Sequence, residues 1–313
     1  ILAQQHFETF SRRFEDTPFI IEAISRFRTV SEQKKIIKRL QEGKIDVLIG
    51  THRMLSTDVK FKELGLLVVD EEQRFGVRHK EKIKRFRASV DVLTLSATPI
   101  PRTLHMSLMG IRDLSLVNTP PADRRAVRTR LLPANDYIIQ EAVSREIRRG
   151  GQVYIVHNRI DTIYEYGRYL DSILPNVKIV IGHGQMREEK LEKVMMEFIE
   201  GEFDVLLSTT IIESGLDITN ANTIIINNAH IFGLSQLYQL RGRVGRSNVQ
   251  AYAYLLVPPD LILSGVANER LNVLQDLNDL GAGFKVASRD LEIRGAGNLL
   301  GSEQSGQIAS VGL

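Results

Sequence analysis

The chain has 313 residues, 43% apolar and 25% charged, which suits a folded globular protein with room for two domains and not a disordered or fibrous one. It has no run of 18 apolar residues, and the opening ILAQQHFETF lacks the basic start and apolar core of a signal peptide, so no membrane role or secretion leader is read from it. The absence of cysteine removes disulfides, thiolate zinc sites and thiol nucleophiles and fits a cytoplasmic setting, while a net charge of +3 permits a polyanionic partner without demanding one.

Along the chain, short apolar β-branched runs alternate with longer amphipathic stretches. Strands are predicted at 19–24, 46–49, 66–69, 92–95, 153–156, 177–181, 205–207, 223–226 and 252–256. The clearest helical patterns between them are 31–42, 136–149 and 188–200. Continuous apolar strands separated by helices predict parallel sheets covered on both faces, and so an α/β architecture. Basic clusters at 34–35, 80–87 and 124–130 each read as a solvated helix face or loop.

The segment SEQKKIIKRLQEGKIDVLIGT, starting at Ser31, is echoed by EKLEKVMMEFIEGEFDVLLST, starting at Glu189, at a constant offset of 158 residues. Glu42-Gly43 falls on Glu200-Gly201, Asp46 on Asp204, Thr51 on Thr209, and Leu66-Leu67-Val68 on Ile224-Ile225-Ile226. A gap-free match of helix, glycine stop, buried strand and polar tip predicts a duplicated α/β domain. Pro120-Pro121 and the arginine-rich stretch that follows put the boundary near 118–130. The copies differ after the next strand: Asp70-Glu71 in the first falls on Asn228-Ala229 in the second.

Several segments carry candidate chemistry. LLVVDEEQ is an apolar strand ending in carboxylates, at the end of a parallel strand where α/β sheets bind ligands. Asp70 can hold Mg²⁺ through water and Glu71 can orient and deprotonate an attacking water; taken alone, the pair also fits an acidic helix start. Ser96 and Thr98 of LSATP suit a relay from a nucleotide site, or an ordinary strand exit. Ser208, Thr209 and Thr210 of STTIIESGLDI offer hydroxyls and amides to phosphate oxygens. There Gly215 allows close backbone approach and Asp217 can accept from a ribose hydroxyl. Thr51 is the first-copy counterpart of Thr209. In QLYQLRGRVGRS, Gln239, Gly242, Arg243 and Arg246 fit Q-x-x-G-R-x-x-R, and two always-charged arginines three apart on a helical turn suit a γ-phosphate, or a nucleic-acid backbone. His79, His105, His157 and His230 have no paired metal spacing and read as packing or surface residues.

Taken in order, GTH, DEEQ, SAT, STTIIESGLDI and QLRGRVGR resemble the motifs of superfamily 2 helicases. DEEQRFGVRHKEKIK, LTLSATPIPRTLHMSLMGIRDLS, GHGQMRE and DLGAGFKVASRDLEIRGAGNLLGSEQSG resemble the bacterial transcription-repair coupling factors and, more distantly, the fork-remodelling helicase RecG. The resemblance implies two RecA-like domains, parallel sheets flanked by helices, and a C-terminal helical hairpin and loop. It places the first domain at 1–120, the second at 121–262 and the hairpin at 263–313. It implies ATP and Mg²⁺ as cofactors, with Asp70, Glu71, Gln73, Arg243 and Arg246 catalytic and Asp70 at the metal. Gly215, Asp217 and Gln239 would bind nucleotide. Double-stranded DNA would meet Thr51, His52, Arg53, Arg102, Arg159, Gln185, Thr209 and Thr210, and Arg294 and Gln304 would couple turnover to movement. It further implies displacement of stalled RNA polymerase and recruitment of an excision-repair protein, through modules outside this chain. The alternatives are a RecG-like fork remodeller, or a segment that binds DNA or protein without turnover. No G-x-x-x-x-G-K-[ST] loop occurs, so the chain is expected to start just after that loop.

Overall fold

A computed structural model describes residues 2–25, 28–71, 75–86, 88–96, 113, 115–117, 119, 124–210, 218–277 and 282–294. The chain divides into two compact units, Ile1–Ala97 and Thr98–Leu313.

The first unit contains α1 (Leu2–Arg13), β1 (Ile21–Ile24), α2 (Val30–Gln41), β2 (Val47–Gly50), a 3₁₀ turn (His52–Leu55), β3 (Leu66–Asp70), α3 (Val77–Phe86) and β4 (Asp91–Leu95). Helix α2 starts on a capping box. The Thr29 amide donates to the Glu32 carboxylate at 2.7 Å, and the Glu32 amide donates back to the Thr29 hydroxyl at 3.3 Å. The helix buries Ile36, Ile37 and Leu40 and stops at Gly43, whose φ of +73° suits glycine. Ile24, Ile37, Leu40 and Val59 form the core beneath it. Strand β1 pairs in parallel with β2, and β3 with β4. Strands β3 and β4 bury fewer of their positions than the strands of the second unit. Leu66, Val68, Leu93 and Leu95 are all exposed while Val69 is buried, so these strands alternate.

The second unit contains β5 (Arg128–Pro133), α4 (Asp136–Arg148), β6 (Gln152–Val156), α5 (Ile163–Ile173), β7 (Ile179–Gly182), α6 (Glu188–Ile199), β8 (Val205–Ser208) and β9 (Ala221–Ile226). A 3₁₀ turn (Ala229–Ile231), α7 (Leu234–Arg241), β10 (Tyr252–Val257), α8 (Gly265–Asp276) and α9 (Gly283–Arg294) follow. The six strands form one parallel sheet in the order β5-β10-β9-β6-β8-β7. Central strands β6, β8 and β9 are buried at every position, as a sheet covered on both faces requires. The end of the arginine-rich 124–130 segment is no loop: it enters edge strand β5, where Arg128 and Arg130 are exposed and Thr129 between them is buried. Edge position also accommodates Pro133, whose missing N–H would cost a central strand a ladder bond. Helices α7, α8 and α9 pack on one another.

The duplication holds at the level of register. Strand β1 pairs with β2 from Ile21↔Val47 to Ile24↔Gly50, and β7 with β8 from Ile179↔Val205 to Gly182↔Ser208, each position displaced by the same 158 residues. The Asp46 carboxylate accepts the Ile20 amide at 2.8 Å, and the Asp204 carboxylate accepts the Lys178 amide at 2.8 Å. The glycine stops match as well, with φ of +73° at Gly43 and +83° at Gly201.

Candidate nucleotide and nucleic-acid sites

In the first unit, β3 delivers Asp70, half-buried, to its carboxyl end. The next residue, Glu71, is buried and has φ +52°, a left-handed backbone that costs a non-glycine residue about 1–3 kcal/mol. Its amide donates to the Leu95 carbonyl at 3.1 Å, so the neighbouring strand β4 holds the strained residue in place. No sequence pattern announces that conformation. Asp70 has the His6 imidazole 3.6 Å away, from α1. Ser96 follows directly after β4. The donor set here is one strand-end carboxylate beside a buried glutamate. That suits a magnesium ion, which keeps water and takes phosphate oxygens instead of an all-protein cage.

The Thr51–Arg53 tip follows β2. Thr51 and His52 are exposed. The His52 ring packs 4.6 Å from Phe75 and 4.8 Å from His79, and partial burial followed by the nearby His79 charge holds its pKa below the usual value. Arg53 is a brace: it donates to both Asp58 carboxylate oxygens, at 2.7 and 2.6 Å, and to the Gln33 side chain at 3.0 Å. Two of its five N–H donors remain outside these bonds.

In the second unit, the exits of β6, β7 and β8 bring a polar set together. The His157 amide donates to the Ser208 carbonyl, and Gly182 pairs with Ser208, so His157, His183 and 208–210 share one edge of the sheet. His157 is a packing residue, as its lone spacing suggests. It stacks on Tyr166 at 4.6 Å and contacts the Thr162 hydroxyl at 2.8 Å and the Asn227 amide at 3.2 Å. Burial, partly offset by Asp161, lowers its pKa. His183 is 6% exposed, bonds Tyr164 through Nε2 at 2.9 Å, and has its pKa lowered by burial and then by Lys190. Its Nδ1 has no partner among the described residues, nor do the buried Ser208 Oγ and Thr209 Oγ1. Three buried polar atoms without partners at one sheet edge need an acceptor or donor from outside. Phosphate oxygens meet that need for hydroxyls and a protonated ring nitrogen. His183 was visible in the sequence only as part of GHGQMRE. Gln185 is exposed and Thr210 half-buried beside them. Arg159 is exposed and clasps Asp161 at 2.8 Å.

The arginine pair differs from the helical reading. Helix α7 ends at Arg241, and Arg243 and Arg246 follow in a turn broken by Gly245 at φ +75°. Arg243 is buried, with its amide donating to the Leu240 carbonyl. Arg246 is half-buried and donates from Nε to the Gly242 carbonyl at 3.2 Å. The pair therefore does not share a helix face. Gln239 lies half-buried inside the helix. Gln73, Arg102, Gly215, Asp217, Gln304 and the Arg294 side chain lie outside the described residues. Among the described residues, no group of three metal-ligating side chains occurs and no helix is long and apolar enough to cross a membrane.

Residues 1–107 match the DEAD/DEAH box helicase domain and 134–248 the helicase conserved C-terminal domain. The whole chain is 57% identical to a stretch of the transcription-repair-coupling factors of Myxococcus xanthus and Escherichia coli, and 56% identical to that of Bacillus subtilis. It spans about a quarter of those relatives, 26 to 27% of their length. The structure of RecG bound to a three-way DNA junction superposes with a TM-score of 0.77 at 38% identity, covering 95% of this chain and 39% of that one.

Proposed function

The chain belongs to the superfamily 2 helicases, as a segment matching the transcription-repair-coupling factors throughout, and on that premise we propose that it is the ATP-driven double-stranded DNA translocase motor of a coupling factor. The observation that carries this reading is Glu71, a buried carboxylate held in a strained left-handed backbone next to Asp70 at a strand end. Strain of this kind persists where surrounding structure enforces it and clusters at catalytic sites. In this reading Asp70 would hold Mg²⁺, and Glu71 would orient the attacking water and take its proton. The ion would supply charge neutralisation on the β- and γ-phosphates. Gln73, Arg243 and Arg246 complete the catalytic set, and Gly215, Asp217 and Gln239 bind the nucleotide.

Duplex DNA is assigned to Thr51, His52, Arg53, Arg102, Arg159, Gln185, Thr209 and Thr210, supported by the polar atoms without partners beside Thr209. Arg294 and Gln304 are assigned to coupling. The phosphate-binding loop and the modules for RNA polymerase and an excision-repair protein are not among these 313 residues; the reading assigns them to the rest of the full-length protein. Identity of 54–57% to coupling factors, against 38% to RecG, favours displacement of stalled polymerase over fork remodelling.

The test is Glu71→Gln in the full-length protein. ATP turnover is expected to fall about a thousandfold, the range of a lost general base, with duplex affinity retained. Turnover above a tenth of wild type would remove Glu71 from the chemistry. Triplex displacement and release of stalled polymerase by the wild type, without preference for forked DNA, separates the coupling factor from the fork remodeller.

A further inference from the structure

The arginine-rich segment that leads into β5 lies against the turn that carries Arg243 and Arg246. Three hydrogen bonds join the two stretches. The Arg124 guanidinium donates from Nε to the Gly245 carbonyl at 2.9 Å, across 121 residues of chain. The Gln250 side-chain amide donates to the Ala126 carbonyl at 2.7 Å, and the Arg128 amide donates to the Ala251 carbonyl at 3.0 Å. Between them lies Val127, which is buried. A β-carbon at Gly245 would lie 2.8 Å from Val127 Cγ2 and 3.2 Å from the Ala251 Cβ. Glycine is therefore required at 245 twice, by its φ of +75° and by this contact. Arg125, Arg128 and Arg130 are exposed, as solvated charges are, whereas Arg124 is half-buried over the turn.

The Arg124 bond bears on Arg246 through the geometry of one peptide. The Gly245–Arg246 peptide is planar, so holding the Gly245 carbonyl fixes the plane from which the Arg246 Cα departs. Glycine adopts either sign of φ, so the turn needs fastening from outside. Helix α7 fastens its start, where the Arg243 amide donates to the Leu240 carbonyl and the Val244 amide to the Arg241 carbonyl. Arg124 and Gln250 fasten its far side.

We propose that Arg124 is a positioning residue for the arginine turn: its Nε bond to the Gly245 carbonyl aims Arg246 at the γ-phosphate. The inference rests on the translocase reading, in which Arg243 and Arg246 meet the nucleotide, and adds to it the support behind them. Arg124 itself touches no nucleotide in this scheme. A misplaced arginine loses stabilisation of the transition state while ground-state binding of the nucleotide is kept.

The experiment uses the full-length protein with Arg124→Met and Arg124→Gln. Both replacements match the reach of the arginine as far as Nε. Glutamine puts an amide nitrogen at that place, restoring the donor without the charge, and methionine has no donor. ATP turnover on duplex DNA, KM for ATP, and the affinities for ADP and for ADP with aluminium fluoride, a mimic of the transferring phosphoryl group, are measured. For Arg124→Met, turnover and affinity for the fluoride complex are each expected to fall about tenfold, with KM and ADP affinity within about twofold of wild type. Arg124→Gln is expected to stay within about threefold of wild type in all four. Equal losses in the two variants would show that Arg124 serves by its charge, and would overturn the inference. So would an Arg124→Met protein with unchanged constants, or one whose affinities for ADP and for the fluoride complex fall together. If Arg124→Met does not fold, Arg124→Gln decides: near-wild-type constants support the bond, and a loss of about tenfold overturns it. Undiminished turnover in Arg246→Ala would instead remove the arginine turn from the chemistry, and a wild-type protein with no DNA-dependent turnover would overturn the translocase reading; both failures are seen without any change at Arg124.

Discussion

The two units share one local frame and end it differently. Residues 21–50 and 179–208 pair in the same register, bracket the strand start with the same aspartate, and stop their helices on the same left-handed glycine. Past β3 and β9 they part. The first chain exit holds Glu71 at φ +52°, the second Asn228 at φ +52°. The left-handed residues are 157 apart, so the copies slip by one place where the chemistry begins, and Asn228 occupies the conformation of Glu71, not that of Asp70. Asparagine tolerates this backbone far better than glutamate does. The pairing teaches that the frame is inherited and cheap to keep, while the carboxylate in the first copy is retained against its own conformational cost.

That comparison can be broken at matched positions. The largest stability effect is expected in the cores: Phe198→Ala should cost about 4 kcal/mol and its counterpart Leu40→Ala about 3 kcal/mol, read by urea unfolding. Equal small losses would mean that neither residue anchors its helix. Next come the aspartate brackets. Asp204→Ala and Asp46→Ala each remove one carboxylate–amide bond and should cost about 1 kcal/mol, the half-buried Asp204 more than the exposed Asp46. A cost confined to one of them would show that the frames differ in spite of their register.

The polar tips should separate the copies. Thr209→Val deletes a buried hydroxyl without a partner, so the protein without DNA should gain about 1 kcal/mol while duplex affinity falls about fivefold. Thr51→Val, at an exposed site, should leave stability within about 0.5 kcal/mol. A destabilised Thr209→Val would place the hydroxyl's partner inside the protein. The smallest effect is in pH. Burial holds His157 and His183 below 6.5, so both are neutral in the fold at neutral pH. The unfolded chain binds protons first as pH falls through 6.5, so stability is present above that value and lost toward the depressed folded values. Urea midpoints measured from pH 7.5 to 5.5 should decline, and His157→Gln should flatten the decline.

Much of this frame was legible in the sequence because buried parallel strands write themselves as unbroken apolar runs. All nine predicted strands exist, within a few residues of their expected ends. The strand that escaped, β5, is an edge strand whose alternating Arg128-Thr129-Arg130 looks polar to a search for apolar runs. The carboxylates, the Thr209 tip and the arginine motif were readable as residue types in order. Their geometry was not. The strain at Glu71 and the orphaned Nδ1 of His183 depend on neighbouring strands, and the break between Arg243 and Arg246 turns on Gly245, which a three-residue spacing ignores.

Arg241 ends α8 by donating to the Leu274 and Leu277 carbonyls, at 2.9 and 2.7 Å, and this has a consequence for ionic strength. Contacts to DNA phosphates weaken steeply as salt rises, because they release counterions. Arg241 is shielded from solvent and bonds carbonyls, so salt reaches it hardly at all. Brine strong enough to strip the protein from duplex should therefore leave the three-helix block assembled, and desalting should return a working machine without any refolding step.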